Sequence, residues 1–399
     1  MKSNKLKYIV ITLFVSFLFI GAILTRMNFG DTYSWFENRN LNEMPTVTAS
    51  GVMDGTYFTK LEKFLADRAA MRNVLLKVKA FSDNTIFDRP NVNDIVIEDD
   101  VLLMYRDYSY SNAQQYSAEW YAGEMAEFNE LVTSYGGYFC YVGVPTQYNF
   151  YEELYPDYLE NMAEETSLQN ELFSTFAKNM GLPYLDMGPI LENAENSSEL
   201  FFKTDHHYTL RGAYLTYTSI IDRINADCGT DLKYPIESNG SISFKSVENK
   251  YIGSYSRKVF ALSTVTEHLT KASFSDDIVF KRYDNGNESY PYVYADPSNT
   301  EEDLLYSYYM GGDIANTIID TGRDELPTIL IYGDSFTNAL ECILYYSFNE
   351  MHSIDLRHYS EMTLAEYVEL YKPDYVICVR DYDNLVMPYA NGDVFGNFQ

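Results

Sequence analysis

A serine at the end of an apolar segment is the first residue of this chain that could carry out covalent chemistry. Residues 329–332 are apolar and lead into Gly333-Asp334-Ser335, after which a helical pattern begins. Ligands of open α/β sheets bind at the carboxyl ends of strands, so the Ser335 hydroxyl would face a binding crevice. It would also lie at a helix N-terminus, which favours developing negative charge. Alternatively, Asp334 or Ser335 only caps the helix.

A second polar cluster, Asp205-His206-His207, could supply the base that a serine nucleophile needs. A serine hydroxyl reacts poorly until a base removes its proton, and an acidic residue that orients the imidazole completes the relay. Asp205 lies two residues before His207, close enough for its carboxylate to reach the ring nitrogen opposite the serine. The chain has only five histidines, so two adjacent ones beside an aspartate are notable.

This second cluster has two other interpretations. Asp205 could cap the helix that follows, with both histidines in solvent. Aspartate and histidine are also zinc ligands, but a further ligand would have to come from elsewhere, and no HExxH or similar pattern supplies it. We therefore expect no metal and no cofactor.

The segments around these clusters alternate between strand-like and helical patterns. This alternation predicts an α/β fold with a mostly parallel sheet that is flanked by helices on both faces. The predicted strands are 138–144, 183–186, 328–332, 352–356 and 375–379, and the predicted helices are 116–134, 166–179, 211–226, 335–346 and 364–371.

Four other segments do not follow this alternation. Residues 26–60 have the polar composition of a connector. Apolar residues recur at helical spacing over 54–81, which predicts an amphipathic helix. Residues 92–104 alternate around a central acidic pair and predict a hairpin. Residues from about 235 to 325 carry short alternating stretches with few helix signals, so we expect a β-rich insertion.

The N-terminal segment has the pattern of a membrane anchor. Lys2, Lys5 and Lys7 precede an uncharged apolar run over Tyr8–Leu24, which is long enough to cross a bilayer as a helix. The lysines would stay cytoplasmic and direct the rest of the chain outward. A cleaved signal peptide is the alternative, but the run ends without an A-x-A-like site. We expect residues 1–25 to be a cytoplasmic tail and uncleaved anchor of an extracytoplasmic protein.

Composition excludes some classes of partner. The formal charge is −29, from 58 acidic and 29 basic side chains, and no basic run follows the N-terminal lysines, so nucleic acid is not expected to bind. The hydrophobic content of 46% and aromatic content of 16% are those of a folded protein rather than a disordered one. The four cysteines form no CxxC pair and indicate no disulfide framework.

Together, the two clusters resemble the motifs of the SGNH-type hydrolases, and more closely their topologically rearranged branch, the alginate O-acetyltransferases and DHHW-motif proteins. In that branch the Asp-x-His pair precedes the Gly-Asp-Ser block, as Asp205-x-His207 precedes Gly333-Asp334-Ser335 here. Residues 36–39, Phe-Glu-Asn-Arg, also resemble its N-terminal signature. The resemblance implies an SGNH-like catalytic domain over 61–399, with the insertion and an N-terminal membrane helix added.

The resemblance also implies roles for individual residues. Ser335 would be the nucleophile, His207 the general acid/base and Asp205 its orienting partner, with His206 the second choice of base. The backbone N–H of Ser335 would bind the oxyanion.

A second oxyanion or substrate contact is expected from Asn338 or Arg380. Tyr208 stands where the family usually has tryptophan, and it is a further substrate-contact candidate, with His206. The glycine and asparagine that complete the oxyanion hole of ordinary SGNH hydrolases have no counterpart that we identify.

The activity implied is O-acetyl transfer to a cell-surface or exported polysaccharide through an acyl-enzyme. The acyl donor would be supplied across the membrane by a separate integral acyltransferase. Two alternatives remain open. The same triad could serve an acetylesterase with water as acceptor, or the protein could be a catalytically silent glycan-binding scaffold of a surface-assembly complex.

Overall fold

The computed structural model of the chain describes residues 2–37, 39–106, 113–159 and 162–398. Within them the α-helices, numbered α1 to α12 in chain order, are Lys2–Met27, Ala49–Met53, Thr56–Asp67, Arg72–Thr85, Ala113–Ser134, Gln147–Phe150, Glu164–Met180, Gly188–Glu192, Leu210–Cys228, Ser254–Lys258, Phe336–Leu344 and Leu364–Tyr371. The β-strands, numbered β1 to β14, are Tyr33–Ser34, Arg39–Asn40, Ile95–Ile97, Leu102–Met104, Tyr138–Val144, Tyr184–Asp186, Ile242–Ser246, Thr270–Phe274, Lys281–Asp284, Asn287–Ser289, Asn316–Asp320, Ile329–Gly333, Glu350–Ile354 and Tyr375–Asp381.

Eight of these strands form one mixed sheet in the order β10-β9-β11-β13-β12-β14-β5-β6. The strands from β13 to β6 are parallel, whereas β11, β9 and β10 extend the sheet with antiparallel pairs. The predicted α/β class is confirmed, and all five predicted strands form. The segment expected as a β-rich insertion is not separate from the main sheet, because β9, β10 and β11 lie within it and join that sheet.

The parallel strands are covered on both faces. Tyr332 of β12 packs into a cluster with Phe128 of α5 and Phe173 of α7. Ile331, the neighbour of Tyr332 on the opposite face, is also completely buried, and α11 contacts β12 and β14. Burial on both faces explains why these strands are continuous apolar runs in the sequence.

By their internal contacts, residues fall into two compact units, 1–97 with 254–264, and 98–253 with 265–399. In the first unit Phe260 packs against Phe36 with ring centroids 4.9 Å apart, and Arg257 lies over the ring of Trp35. Residues 26–60, expected as a connector, contain β1, β2, α2 and the start of α3. The helix α10 was not predicted: its residues lie in the segment expected as a β-rich insertion, and they belong to this unit, where the nearby Phe260 packs against Phe36.

The N-terminal signature has a structural role in this unit. The guanidinium of Arg39 donates hydrogen bonds to both carboxylate oxygens of Asp67, at 3.1 and 2.6 Å, and Arg72 pairs with Glu37 at 2.7 Å. The hydrogen bonds from Arg39 hold the pKa of Asp67 well below its usual range. Asn38 of the signature lies outside the described residues.

The amphipathic helix predicted over 54–81 is two helices. α3 ends at Asp67 and α4 begins at Arg72, and between them Met71 has a φ of 58°, which no α-helix accommodates. Arg68 follows α3 and donates to the carbonyls of Asn42 and Asp31 at 2.7 Å each. These bonds hold the chain in the turn that ends α3.

In the part of the chain that the structure describes, one helix is long and apolar enough to cross a membrane. It runs through residues 5–30, and its apolar window has no buried residue. Such a helix is typical of a membrane anchor or of a signal sequence.

Candidate active site

Ser335 is positioned by the junction of β12 and α11. β12 is buried throughout and ends at Gly333, and α11 begins at Phe336. A Cβ at position 333 would overlap the carbonyl oxygen of Val379 in the adjacent β14, so this close approach requires glycine. Gly333 is therefore required by the packing of β12 against β14.

Asp334 takes the capping role that the sequence left open between Asp334 and Ser335. Its carboxylate accepts the backbone N–H of Phe336 at 3.1 Å and that of Asp381 at 3.3 Å. Ser335 is the N-cap residue of α11 by position, but its side chain makes no capping hydrogen bond. Its hydroxyl is therefore available for other chemistry.

Asp334 also lies in an electrostatically unusual place. Burial raises the pKa of its carboxyl, and the charge of Asp381 raises it further. The nearby Arg380 and the two backbone N–H donors act in the opposite direction. The carboxyl group beside Ser335 thus holds a proton more readily than an ordinary aspartate does.

Asp205 and His207 lie on the turn that leads into α9. Thr209 caps that helix, accepting the N–H groups of Arg211 and Gly212. The capping interpretation of Asp205 is therefore not needed. Asp205 instead accepts the backbone N–H of His207 at 3.0 Å, which folds its carboxylate back onto the imidazole of the same residue.

The three side chains form a continuous hydrogen-bonded chain. Nδ1 of His207 lies 2.6 Å from Oδ1 of Asp205, and Nε2 lies 2.6 Å from Oγ of Ser335. A carboxylate only accepts, so Nδ1 carries the proton and Nε2 accepts from the Ser335 hydroxyl. Asp205 and His207 are buried, whereas Ser335 is partly exposed. This arrangement can deprotonate a serine as it attacks an acyl carbon.

Aromatic rings hold the imidazole of His207 in place. The ring of Tyr306 lies parallel to it at 3.7 Å, with an interplanar angle of 2°. The ring centroids of His206 and Phe336 lie 3.7 and 5.1 Å from the centroid of the His207 ring. Tyr251 is also buried nearby, and its hydroxyl pKa is raised by burial and by the charge of Asp205. The imidazole is thereby restricted to the orientation that serves Ser335.

Glu267 supports the turn from the other side. Its carboxylate accepts the backbone N–H of Lys203 at 2.8 Å, the N–H of Thr204 at 2.9 Å and the Thr204 hydroxyl at 2.5 Å. Burial raises the pKa of Glu267, and the hydrogen bonds from Thr204 oppose this shift. Glu267 belongs to the segment expected as an insertion, which therefore contributes to the shape of the site.

We expect Glu267→Ala to lower kcat for p-nitrophenyl acetate by about 10- to 100-fold. Three donors lose their acceptor, and a displacement of about 1 Å in the turn that carries His207 can cost about a hundredfold in rate. The measurement is steady-state kinetics together with the thermal unfolding midpoint. Glu302→Ala is the matched control, because Glu302 also accepts local hydrogen bonds, from Ser298, but is exposed. Equal kcat in the two variants would contradict a supporting role for Glu267.

Two of the predicted contact residues adjoin the triad. His206 is 39% exposed at its side chain, and its Nδ1 lies 3.4 Å from Asp205. It borders the site and is accessible to a substrate. Tyr208 is completely buried, and its hydroxyl donates to the carbonyl of Phe336 at 2.5 Å. Tyr208 therefore joins the His207 turn to α11, which does not support a role in contacting substrate.

The two predicted oxyanion donors are engaged elsewhere. The amide of Asn338 donates to Asp313 at 2.9 Å. The guanidinium of Arg380 is buried and donates to the carbonyl of Met387 at 2.8 Å and to Tyr121 at 3.3 Å. Tyr121 belongs to the hydrophobic core. These contacts do not support Arg380 as an oxyanion donor. The role of Asn338 stays a prediction, and in that role its amide would have to give up the hydrogen bond to Asp313 and donate to the oxyanion instead.

Sequence reasoning missed Tyr251, Glu267 and Tyr306. All three come from the segment between the two motifs, and none lies at a spacing that relates it to either motif. Tyrosine is also abundant in this chain, with 38 copies, so its type carries no signal.

The ligand types for a metal ion are present at Asp205, His206 and His207, and again at Asp313, Asp355 and His358. In the first group both ring nitrogens of His207 are already engaged, by Asp205 and Ser335. In the second, Arg357 pairs with Asp313 at 2.9 Å and with Asp355 at 2.6 Å, so a guanidinium already occupies the space between the carboxylates and offsets part of their charge. Neither arrangement leads us to propose a metal site.

The fold is of the SGNH hydrolase-like class, with a mixed sheet flanked by helices and the Ser335 motif at the carboxyl edge of its parallel strands. Residues 98–238 match the family described as the SGNH hydrolase-like domain of the acetyltransferase AlgX. The resemblance predicted from the two motifs is thereby confirmed. The fold and this match identify the chain as similar to the SGNH-type acetyltransferases over residues 98–238, the part that contains Asp205 and His207.

Solved structures share this fold at low sequence identity. PatB1 of Bacillus cereus, solved with a sulfonyl adduct, is 18% identical with a TM-score of 0.61, over 73% of this chain and 95% of that one. A DHHW family protein from Eubacterium siraeum is also 18% identical, with a TM-score of 0.58 over 77% and 96% of the two chains. Among curated proteins, none matches this sequence.

Proposed function

We propose that this protein transfers acyl groups, acetyl in the first place, to hydroxyl groups of a cell-surface or exported polysaccharide through an ester on Ser335. The observation that carries the proposal is the 2.6 Å contact between Nε2 of His207 and the Ser335 hydroxyl, on a ring whose Nδ1 meets Asp205. The match to an acetyltransferase family supports the acetyl group. The resemblance to the alginate O-acetyltransferases supports a polysaccharide acceptor.

In the first half of the reaction, Oγ of Ser335 attacks the carbonyl carbon of the acyl donor, and Nε2 of His207 takes the hydroxyl proton. Asp205 accepts from Nδ1 and stabilises the imidazolium that forms. The tetrahedral intermediate then expels the donor's leaving group, which receives the proton from Nε2. The products are an acetyl ester on Ser335, a neutral His207 and the protonated leaving group.

In the second half, a sugar hydroxyl takes the place of the leaving group. Nε2 of His207 removes its proton while its oxygen attacks the ester carbonyl. When the intermediate collapses, Ser335 leaves and recovers a proton from His207. The acetyl group is then an ester of the sugar, and the enzyme is unchanged.

The negative charge of both intermediates needs a donor near Ser335. The backbone N–H of Ser335 lies at the N-terminal end of α11, where the helix dipole also favours negative charge. Loss of one such donor typically costs about 10²–10³ in rate. We assign this N–H as one oxyanion donor.

We further propose that the protein is anchored through Tyr8–Leu24, with its catalytic domain outside the cytoplasm. The observation behind this is α1, an apolar helix of membrane-spanning length. A catalytic domain outside the cytoplasm has no direct access to acetyl donors inside the cytoplasm. A separate integral membrane acyltransferase that passes the acyl group outward is therefore the partner that this arrangement requires.

The second candidate function is an acetylesterase with the same three residues. The partial exposure of Ser335 favours it, because water that reaches the ester competes with a sugar hydroxyl. The two functions share the first half-reaction and differ only in the acceptor.

Mass spectrometry of the acylated protein tests the proposal. After brief exposure to p-nitrophenyl acetate, we expect an acetyl adduct on the peptide that contains Ser335, within residues 327–350. Addition of a neutral oligosaccharide should then yield acetylated sugar as the adduct disappears. Release of free acetate alone, at a rate that oligosaccharides do not change, would support the esterase instead.

A protein without an adduct under any donor would leave only a binding function, as a scaffold of a surface-assembly complex. Ser335→Ala is the control for adduct location, since acetylation of surface lysines or tyrosines would persist in it. An adduct that remains on this peptide in Ser335→Ala would contradict the proposed nucleophile.

A further inference from the structure

The helix α4 presents most of its large apolar residues to solvent. Val74, Leu75, Val78 and Phe81 are each 50–60% exposed. The buried residues of the same helix are Ala80 and Asp83. An amphipathic helix of a globular protein ordinarily buries its apolar stripe, whereas α4 leaves these four residues exposed.

The exposed residues form one continuous stripe. With Met71, which precedes α4 and is also exposed, they recur at intervals of three and four residues, which places them on one face of the helix. Ile86 and Phe87 extend the exposed apolar surface beyond the end of α4. An apolar surface that follows one helix face marks an interaction site rather than scattered exposure.

Lysines border this stripe. Lys77 and Lys79 are exposed and lie one residue on either side of Val78, so at about 100° per residue they project from the two flanks of the stripe. Of the six basic side chains in residues 60–79, four are exposed, against one exposed acidic side chain, in a chain whose acidic residues outnumber its basic residues by 58 to 29. One of the four, Lys79, pairs with Asp83 at 2.6 Å. The surface around α4 is therefore suited to an anionic partner that the rest of the chain would repel.

The beginning of α4 is tied to the end of the membrane-length helix α1. The backbone N–H of Ala70 donates to the hydroxyl of Thr25 at 3.1 Å, and the amide of Asn28 donates to the carbonyl of Arg68 at 3.2 Å. Phe29 packs against Phe64 with ring centroids 4.9 Å apart. If α1 crosses a bilayer, these contacts hold the start of α4 at the depth of the lipid headgroups.

An apolar groove also lies between α1 and α3. It has a volume of about 750 Å³ and is lined by residues of both elements, among them Ala22, Phe29, Phe58, Leu61 and Leu65. The groove opens on the side of α3 that carries exposed Phe58 and Leu65. Apolar surface is thus continuous from α1 to α3 within this unit.

We propose that the stripe of Met71, Val74, Leu75, Val78 and Phe81 is a membrane-contact surface that lies in the interfacial region of an anionic bilayer. Lys77 and Lys79 extend to the headgroups, as basic residues on the borders of interfacial helices do. The inference rests on the proposed anchor, because α1 is what brings α4 to the membrane. A second copy of the chain is the alternative occupant, and the experiment distinguishes it.

The test places an environment-sensitive fluorophore on single cysteines of the full chain in vesicles with and without anionic lipid. Cys228 is the exposed native cysteine and is first changed to serine, whereas the other three are buried. Val78→Cys reports the stripe, and Phe14→Cys reports α1. Val279→Cys is the matched control, an exposed valine in the unit that does not contain α1. Lipids that carry a nitroxide on the acyl chain serve as quenchers.

We expect the label at position 78 to shift its emission to the blue and to lose most of its intensity to nitroxide lipid, more strongly with anionic vesicles. The label at 279 should do neither. Quenching at 14 but not at 78 would overturn the inference and leave the anchor intact. No quenching at either position would overturn both. A blue shift at 78 without lipid quenching would mean that protein covers the stripe, which also overturns the inference.

Discussion

Ser335→Ala should abolish the acetyl adduct and lower kcat/KM for p-nitrophenyl acetate by about 10⁴–10⁶-fold, the loss typical of a removed serine nucleophile. The fold should be unaffected, because Asp334 rather than Ser335 caps α11. The hydroxyl of Ser335 contacts His207, and this hydrogen bond contributes about 1 kcal/mol at most to a partly exposed site. The loss of activity should thus occur without a change in the unfolding midpoint.

Two measurements support this result. The unfolding midpoint of Ser335→Ala should lie within the error of the parent protein. Ser275→Ala, an exposed serine of the same unit, should retain full activity and the adduct. Turnover in Ser335→Ala at more than about a hundredth of the parent rate would mean that another group attacks the ester, and the proposed mechanism would be wrong.

His207→Ala should lower kcat by at least about a hundredfold, and Asp205→Asn by up to about 10⁴-fold. Alanine at 207 removes the base. Asparagine at 205 keeps the size of the side chain but presents an amide that favours the wrong tautomer of His207. Both residues are buried, so their unfolding midpoints must be measured beside the kinetics.

His206→Ala is the matched control for the base. His206 is adjacent in sequence, its ring lies 3.7 Å from that of His207, and its Nδ1 lies 3.4 Å from Asp205. His206 does not lie between His207 and Ser335, because those two side chains are in direct contact, so its removal leaves that contact in place. We expect His206→Ala to change kcat by less than about tenfold. An effect as large as that of His207→Ala would reverse the assignment of the two histidines.

Much of the fold could be predicted because its signals are local. The strand over 138–144 is a continuous apolar run, and β5 has the same bounds. The helix predicted over 364–371 is α12, which begins with a capping box between Thr363 and Glu366. Such signals need no knowledge of distant residues.

The remaining features depend on tertiary contacts. The helix over 54–81 breaks near Met71, where Arg68 donates to carbonyls of Asn42 and Asp31, residues far away in sequence. The strand β11 joins the main sheet by pairing with β13, and β9 joins it by pairing with β11, which periodicity within each strand cannot reveal.

The candidate site likewise contains residues that local sequence signals identify and residues that only tertiary contacts bring in. Asp205, His207 and Ser335 were predicted because each belongs to a short motif, and the structure brings their side chains into contact, while their catalytic roles stay predictions. Whether Asp334 or Ser335 caps α11 could not be decided from sequence, since both residue types favour that position. Glu267 and Tyr306 reach the site only through the fold.

The order of strands in the central sheet has a consequence for how the chain can be made. β14 lies between β12 and β5, so β5, which ends at Val144, gains this neighbour only after residues 375–381 have been synthesised. Pairings between segments this far apart form slowly, and unpaired apolar edges promote aggregation meanwhile. A truncation before β14 would therefore separate β5 and β6 from the other five strands of the sheet and leave unpaired apolar edges on β12 and β5.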